Sequence, residues 1–309
     1  MKIVFLDSST LADTDLSPIA ALGELVTYDT STAEEARARV GDCDVLIINK
    51  VIVDRELLQA APRLKLVCEA GTGINNIDTD ACEAFGIPVK NVAGYSTSSV
   101  VQHAFMHLLS LCGSAPWYDN FVKSGEYSRS PIFTRLSQPI VELDGKTIGI
   151  IGMGTIGRKM AQVAEAFGMK VQYYSTSGTK HCTDYPAVEL EELMKTSDVV
   201  SIHAPLNAAT RGLIGAPQLA LMKPSAYILN LGRGPIIDEQ ALADAISEER
   251  IAGAGIDVFS AEPLPADNPL LHTKHPERLR FTPHTAWGSA DARDRLVKCI
   301  AEHIRNAGI

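Results

Sequence analysis

Short apolar runs recur along the chain, and stretches with helical spacing lie between them. In the first hundred residues the runs at 2–6, 25–28, 45–48, 64–68 and 88–91 read as strands. A second series follows at 147–151, 170–174, 198–202, 226–230, 252–256 and 280–282, with helices expected at 155–167 and 239–247. Strands alternating with helices favour doubly wound parallel sheets, an α/β fold. Asp54, and Thr79-Asp80, stand where helix caps are expected. The run 98–112 is too apolar for a surface helix, so it is expected to run between or beneath two domains as the crossover into the second. From there to Leu143, Pro116, Gly125, Pro131 and Pro139 predict a broken, partly extended excursion. Residues 289–306 have an amphipathic helical pattern and are expected to fold back on the first domain.

Length changes the picture next. At 309 residues the chain exceeds what one hydrophobic core organises, so two unequal domains are expected. No segment approaches the ~20 uninterrupted apolar residues of a membrane helix, which argues against a membrane partner. A net charge of −9 argues against nucleic acid, whose affinity comes from clustered Lys and Arg. Met1-Lys2 leads straight into the strand-like Ile3-Val4-Phe5-Leu6-Asp7 without a secretory signal, so a cytoplasmic location is expected. Cys43, Cys68, Cys82, Cys112, Cys182 and Cys299 show no Cys-x-x-Cys spacing, which suits reduced thiols better than disulfides or a metal site.

The most informative local pattern is Gly152-Met153-Gly154-Thr155-Ile156-Gly157, because the buried-strand run Ile148-Gly149-Ile150-Ile151 enters it and a helical pattern leaves it. Strand, glycine loop and helix start together form the dinucleotide fingerprint of a Rossmann-type domain. Gly152 serves the tight turn, Gly154 the approach of a pyrophosphate, and Gly157 the close packing of helix on strand. The acidic residue expected about twenty positions on, to hold the adenosine ribose, is absent, and Ser175 stands there instead. Hydroxyls with Lys180 would tolerate a 2′-phosphate, yet no Arg is offered, so the cofactor is NAD or NADP.

Cofactor binding alone is not chemistry. Oxidising a 2-hydroxy acid needs a cation for the carboxylate, a proton acceptor beside the hydroxyl, and a group that tunes it. Arg233 in Asn230-Leu231-Gly232-Arg233-Gly234, Glu262 in Ser260-Ala261-Glu262-Pro263 and His284 after Phe281-Thr282-Pro283 each follow a predicted strand of the glycine-loop domain. Taken singly, each reads more readily as a surface charge, a solvated loop acid or a satisfied structural histidine; their shared placement after strands of one domain makes them catalytic candidates. His103 and His107 share a helix face, but Ala104 replaces the Glu of a zinc-protease motif, so packing is preferred and no metal is expected.

With these residues the chain resembles the D-isomer-specific 2-hydroxyacid dehydrogenases over nearly its whole length. The motifs that carry the resemblance are Ala70-Gly71-Thr72-Gly73-Ile74-Asn75-Asn76-Ile77-Asp78, the glycine loop, His203-Ala204-Pro205-Leu206, Asn230 to Gly234, Gly253-Ala254-Gly255-Ile256-Asp257-Val258, Glu262-Pro263 and Thr282-Pro283-His284. Residues 91–97, Val101-Gln102-His103 and His284-Thr285-Ala286-Trp287 look most like the glycerate dehydrogenase or hydroxypyruvate reductase branch, although Gln102 stands where many relatives carry Glu.

The resemblance implies that Arg233 holds the substrate, His284 passes the proton, and Glu262 pairs with His284 and tunes it. It places Thr72, Gly73 and Trp287 at the substrate. Thr97, Thr155, Ile156, Ser175, His203, Pro205, Thr210, Leu231, Gly232, Arg233, Asp257 and His284 join the glycine loop in holding the cofactor. It further implies a discontinuous, flavodoxin-like substrate domain of residues 1–97 and 285–309, a nucleotide domain of residues 98–284, a cleft between them, and a homodimer.

The expected reaction is hydride transfer between NAD(P)H and a small 2-keto acid of the hydroxypyruvate or glyoxylate type, giving the D-2-hydroxy acid. D-lactate and other D-2-hydroxy acids remain open within the family. Phosphoglycerate dehydrogenases often carry a regulatory domain for which this length leaves no room, and formate dehydrogenases carry Gln where Glu262 stands. From another class, a nucleotide-sensing corepressor shares the fold and the three residues, and the absence of long polar tails favours the metabolic enzyme.

Overall fold

The computed structural model describes residues 1–179 and 182–309, and each of the eleven expected strands is present with its ends shifted by two residues at most. The chain divides into two units, Met1–Ser96 with Gly288–Ile309, and Thr97–Trp287.

In the first unit β1 (Lys2–Phe5), β2 (Glu24–Thr27), β3 (Val45–Ile48), β4 (Leu66–Glu69) and β5 (Val89–Lys90) form a parallel sheet in the order β2-β1-β3-β4-β5, the flavodoxin-like winding. The central strands β3 and β4 are buried at every residue, whereas the edge strand β2 is only half-buried. Helices α1 (Ser17–Ala20), α2 (Ala33–Arg39), α3 (Arg55–Ala60) and α4 (Thr79–Ala84) connect the strands. Asp54 caps α3 as expected, by accepting from Leu57 N–H at 2.8 Å. The cap of α4 is Asp78 rather than Thr79-Asp80: its carboxylate reaches Ala81 N–H at 2.9 Å, leaving Asp80 in the first turn, where the helix dipole favours an acid. The C-terminal helix Ala290–Asn306 buries Ala292, Leu296, Val297, Ile300, Ala301 and Ile304 along one stripe and packs on α1 and β4.

The switch point of this sheet, between the ends of β1 and β3, is closed by the chain itself. Buried Asp7 accepts backbone N–H groups from Asn49 (2.9 Å), Lys50 (2.6 Å) and Val51 (3.0 Å). Burial pushes its carboxyl up from the usual range, against those three hydrogen bonds.

The second unit opens with α5 (Thr97–Cys112) and α6 (Ala115–Lys123), then alternates β6 (Thr147–Ile151), α7 (Thr155–Ala166), β7 (Lys170–Tyr174), α8 (Leu190–Thr196), β8 (Val199–Ile202), α9 (Ala216–Leu221), β9 (Tyr227–Asn230), α10 (Glu239–Ser247), β10 (Gly253–Ile256) and β11 (Leu279–Phe281). Its parallel sheet has the order β11-β10-β9-β8-β6-β7, and a bridge from Tyr173 to Ala187 adds the stub of a further strand beside β7. Alternate residues face opposite cores, as the strand period requires. Ile148, Ile150, Tyr227 and Leu229 pack with α5 and α7, while Ile151, Val200, Ile202 and Ile228 pack with α8, α9 and α10.

Two expectations need correction here. The excursion 113–143 is not broken throughout, because Pro116 sits in the first turn of α6, where its missing N–H costs nothing. Helix α5 is not buried all round: one face carries Val101, Ala104, Phe105 and Leu108 into the core, while Met106 and Leu109 are exposed.

Candidate active site

Register alone brings the predicted residues to one edge. Ile151, Ile202, Asn230, Ile256 and Phe281 are direct partners across β6, β8, β9, β10 and β11, so they form a row at the C-terminal ends of the strands. Gly152, His203, Arg233, Asp257 and His284 all lie one to three residues beyond that row. Open α/β sheets hold ligands at this edge, at the switch point that here separates β6 from β8.

Gly152 has φ +94°, a left-handed conformation, and a Cβ on it would lie 2.8 Å from the carbonyl oxygen of His203. The turn therefore admits only glycine and lets β6 and β8 end side by side. Gly154 caps α7, and no atom of the described residues lies within 4 Å of where its Cβ would be, so the first-turn amides of Thr155 and Ile156 face a cradle open to a pyrophosphate. These residues fit a dinucleotide.

Arg233 leaves β9 in a loop tied by Asn230, whose side chain donates to Arg233 O (3.0 Å) and accepts from Gly232 N–H (3.1 Å). The guanidinium donates to Gly232 O at 2.8 Å and is partly exposed. A Cβ on Gly234 would meet Phe259 C at 1.9 Å, so this loop lies directly on the one that carries Glu262. In that loop Glu262 accepts Phe259 N–H on Oε1 (2.9 Å) and faces His284 Nδ1 on Oε2 (2.7 Å). With Nδ1–H held by a carboxylate, Nε2 is the ring atom left to take up or release a proton.

His284 has φ +54°, rare for a side-chain-bearing residue. Its N–H donates to Asp257 O at 2.7 Å. The Asp257 carboxylate, only 1% exposed, accepts Thr282 Oγ1–H (2.6 Å), Thr285 N–H (2.9 Å) and Ala286 N–H (3.0 Å). Its oxygens are thus engaged by the turn that carries His284.

Among the other expected residues, His203 Nε2 lies 2.9 Å from Ser201 Oγ, and its buried Nδ1 has no hydrogen-bond partner among the described residues. Thr210 is fully buried, donates to Pro205 O (2.7 Å) and accepts Asn207 N–H (2.9 Å), so its hydroxyl braces the loop after β8. Leu231 and Trp287 pack in or against the α5–α7 core. Thr97 begins α5. Ser175 follows β7 and donates to Thr179 O at 2.7 Å, within a run of hydroxyls free of acidic side chains. Lys180 lies outside the described residues. In the first unit, Thr72 Oγ1 donates to Val92 O at 2.9 Å and Gly73 follows it in the loop after β4. Phe133 is 90% exposed.

Ser99, Ser201, Asn230 and Thr282, whose side chains bond to the site's loops, carry no assigned role in the sequence pattern. Ser99 and Ser201 stand beside a motif and Asn230 and Thr282 inside one, and that placement is the available signal. Among the described residues no cluster of His, Cys, Asp and Glu is placed to hold a metal ion.

Comparison with known proteins identifies the family. Residues 105–286 match the family described as D-isomer specific 2-hydroxyacid dehydrogenase, NAD binding domain. A hydroxypyruvate reductase of Blautia hydrogenotrophica is 38% identical, covering 98% of this chain and 96% of its own. A glycerate dehydrogenase of Methylorubrum extorquens is 35% identical, covering 98% and 95%. Among solved structures, an acyclic imino acid reductase in complex with NADPH and D-Arg superposes with a TM-score of 0.88 at 31% identity, covering 99% and 96%.

Burial lowers the pKa of His107 and of His203 to about 4, so both are neutral in the folded protein at neutral pH. Unfolding returns them to the ordinary value of 6.5, so between about pH 6.5 and 4 the unfolded chain binds more protons and stability falls as pH falls. The urea midpoint should therefore be lower at pH 5 than at pH 7. The gap should narrow in His107→Gln, and an equal gap in both proteins would contradict this account.

Proposed function

The chain belongs to the D-isomer specific 2-hydroxyacid dehydrogenase family, and on that premise we propose that it reduces a small 2-keto acid of the hydroxypyruvate or glyoxylate type to the D-2-hydroxy acid. The observation that carries this reading is the 2.7 Å pair of Glu262 with His284 Nδ1 on the loop beside Arg233.

The arrangement supports a division of labour. The glycine loop would hold the dinucleotide by its pyrophosphate, and the reduced nicotinamide of that cofactor would supply the hydride for carbon 2. Arg233 binds the substrate through its guanidinium and polarises the keto oxygen. His284 Nε2 delivers a proton to that oxygen as the hydroxyl forms, and the Glu262 carboxylate holds Nδ1–H and balances the charge of the imidazolium. In the oxidative direction Nε2 takes the proton back.

Ser175 in place of an acid leaves no negative charge to repel a 2′-phosphate, and the NADPH in the imino acid reductase complex also supports NADPH as the preferred cofactor. Steady-state assays of hydroxypyruvate, glyoxylate and pyruvate with NADH and NADPH test both points. Turnover is expected, with higher kcat/KM for NADPH. Equal or better kcat/KM with NADH would sink the cofactor preference, and pyruvate as best substrate would favour D-lactate. Tight NADH binding without turnover of any keto acid would point to a nucleotide sensor.

Within the site, His284→Ala should lower kcat by roughly 100-fold or more while nicotinamide binding stays nearly intact. Arg233→Ala should act mainly on KM for the keto acid. Retained turnover in the first variant, or an unchanged KM in the second, would remove that residue from its role.

We further propose that the protein is a cytoplasmic homodimer. No helix among the described residues is long and apolar enough to cross a membrane, and all six cysteines are free, as in a reducing compartment. An exposed apolar set on the second unit, Met106, Leu109, Phe167, Ile132, Phe133 and Leu136, supports pairing with a second copy. Cell fractionation followed by light scattering checks both; recovery with membranes would refute the location, and the mass of one chain would refute the dimer.

A further inference from the structure

We propose that Thr282 is a positioning residue for the proton-transferring imidazole: its hydroxyl, bonded to His103 and His107 of α5 and to Asp257, holds the turn that carries His284. This rests on the reading of His284 given above.

Counting donors and acceptors fixes every proton in the cluster. Thr282 Oγ1 lies 2.6 Å from Asp257 Oδ1, 2.9 Å from His103 Nε2 and 3.0 Å from His107 Nε2. A hydroxyl has one proton and two lone pairs, and a carboxylate can only accept. The hydroxyl proton therefore goes to Asp257, in a short, charge-assisted bond. Both imidazoles must then donate Nε2–H, one to each lone pair, and the hydroxyl is saturated.

The fold supplies this cluster from three elements distant in sequence. His103 and His107 are four residues apart on one face of α5, with ring centroids 5.1 Å apart. That helix lies close on β10, since a Cβ on Gly255 would sit 2.7 Å from His107 Cβ. Asp257 follows β10 and Thr282 follows β11.

The grip passes to the catalytic turn through Asp257. Its carboxylate also accepts Thr285 N–H and Ala286 N–H, and its backbone oxygen accepts His284 N–H. Ser99 of the same helix donates to Ala286 O at 2.6 Å. The left-handed backbone at His284 is thus pinned on both sides by groups that α5 orients. Without the Thr282 hydroxyl, Asp257 Oδ1 loses a donor and two imidazole N–H groups lose their acceptor. The turn is then free to relax, and Nε2 of His284 drifts from the reacting oxygen.

The test is a single-turnover measurement of NADPH oxidation with hydroxypyruvate, set beside fluorescence titration of NADPH binding. In Thr282→Val, which keeps the shape and removes the hydroxyl, hydride transfer should slow by about 10-fold or more. The Kd for NADPH should stay near that of the parent, and Thr282→Ser should recover most of the rate. A parental rate in Thr282→Val, a Thr282→Ser as slow as Thr282→Val, or a loss expressed wholly in Kd would overturn the proposal. Should Thr282→Val not fold, His107→Gln and His107→Phe ask the same question, because Gln places an N–H near Nε2 and Phe does not. A slow Phe variant with a Gln variant near the parent supports the proposal, and equal rates overturn it. His284→Ala run in parallel separates the two readings: if it is inactive while Thr282→Val is unimpaired, only the positioning role fails, whereas an active His284→Ala removes the reading on which that role rests.

Discussion

A carboxylate taken out of water must be surrounded by donors, and in this chain that requirement falls on Asp257. It lies at the end of β10, only 1% exposed, and its donors come from the turn after β11. The cost of leaving it unpaired is larger than the cost of holding His284 in a left-handed conformation, so the turn adopts the strained backbone rather than the reverse. On that backbone His284 Nδ1 lies 2.7 Å from the Glu262 carboxylate.

The two sheets end differently, which bears on where chemistry is found. In the first unit the switch point between β1 and β3 is filled by Asp7, an internal carboxyl group that accepts three backbone amides. In the second unit the corresponding point between β6 and β8 is left open by Gly152 and Gly154, and the first-turn amides of α7 face outward. The same winding gives one closed end and one cradle, and the difference lies in one acid against a run of glycines.

Much of the candidate site is legible in the amino-acid sequence. Arg233, Glu262 and His284 each follow a predicted strand, and parallel strands in register must deliver such residues to one edge. The glycine loop is equally plain, because strand, loop and helix start are contiguous. Local signals mislead where two principles compete: Pro116 has the signature of a breaker although it occupies a first turn, and Asp80 has that of a cap although Asp78 reaches the N3 amide.

Periodicity and neighbours a few positions away are enough to specify the strands, the two parallel sheets, the nucleotide loop and three chemistry-bearing residues. What the histidines of α5 do depends instead on the folded chain. His103 and His107 have the pattern of packing residues, yet they meet Thr282 across 179 and 175 residues of chain. Folding likewise turns the hydroxyl of Thr210 into its own loop and the carboxylate of Asp257 toward the turn that carries His284. Such roles depend on which donor lies nearest a buried acceptor in space, and no spacing along the chain encodes that distance.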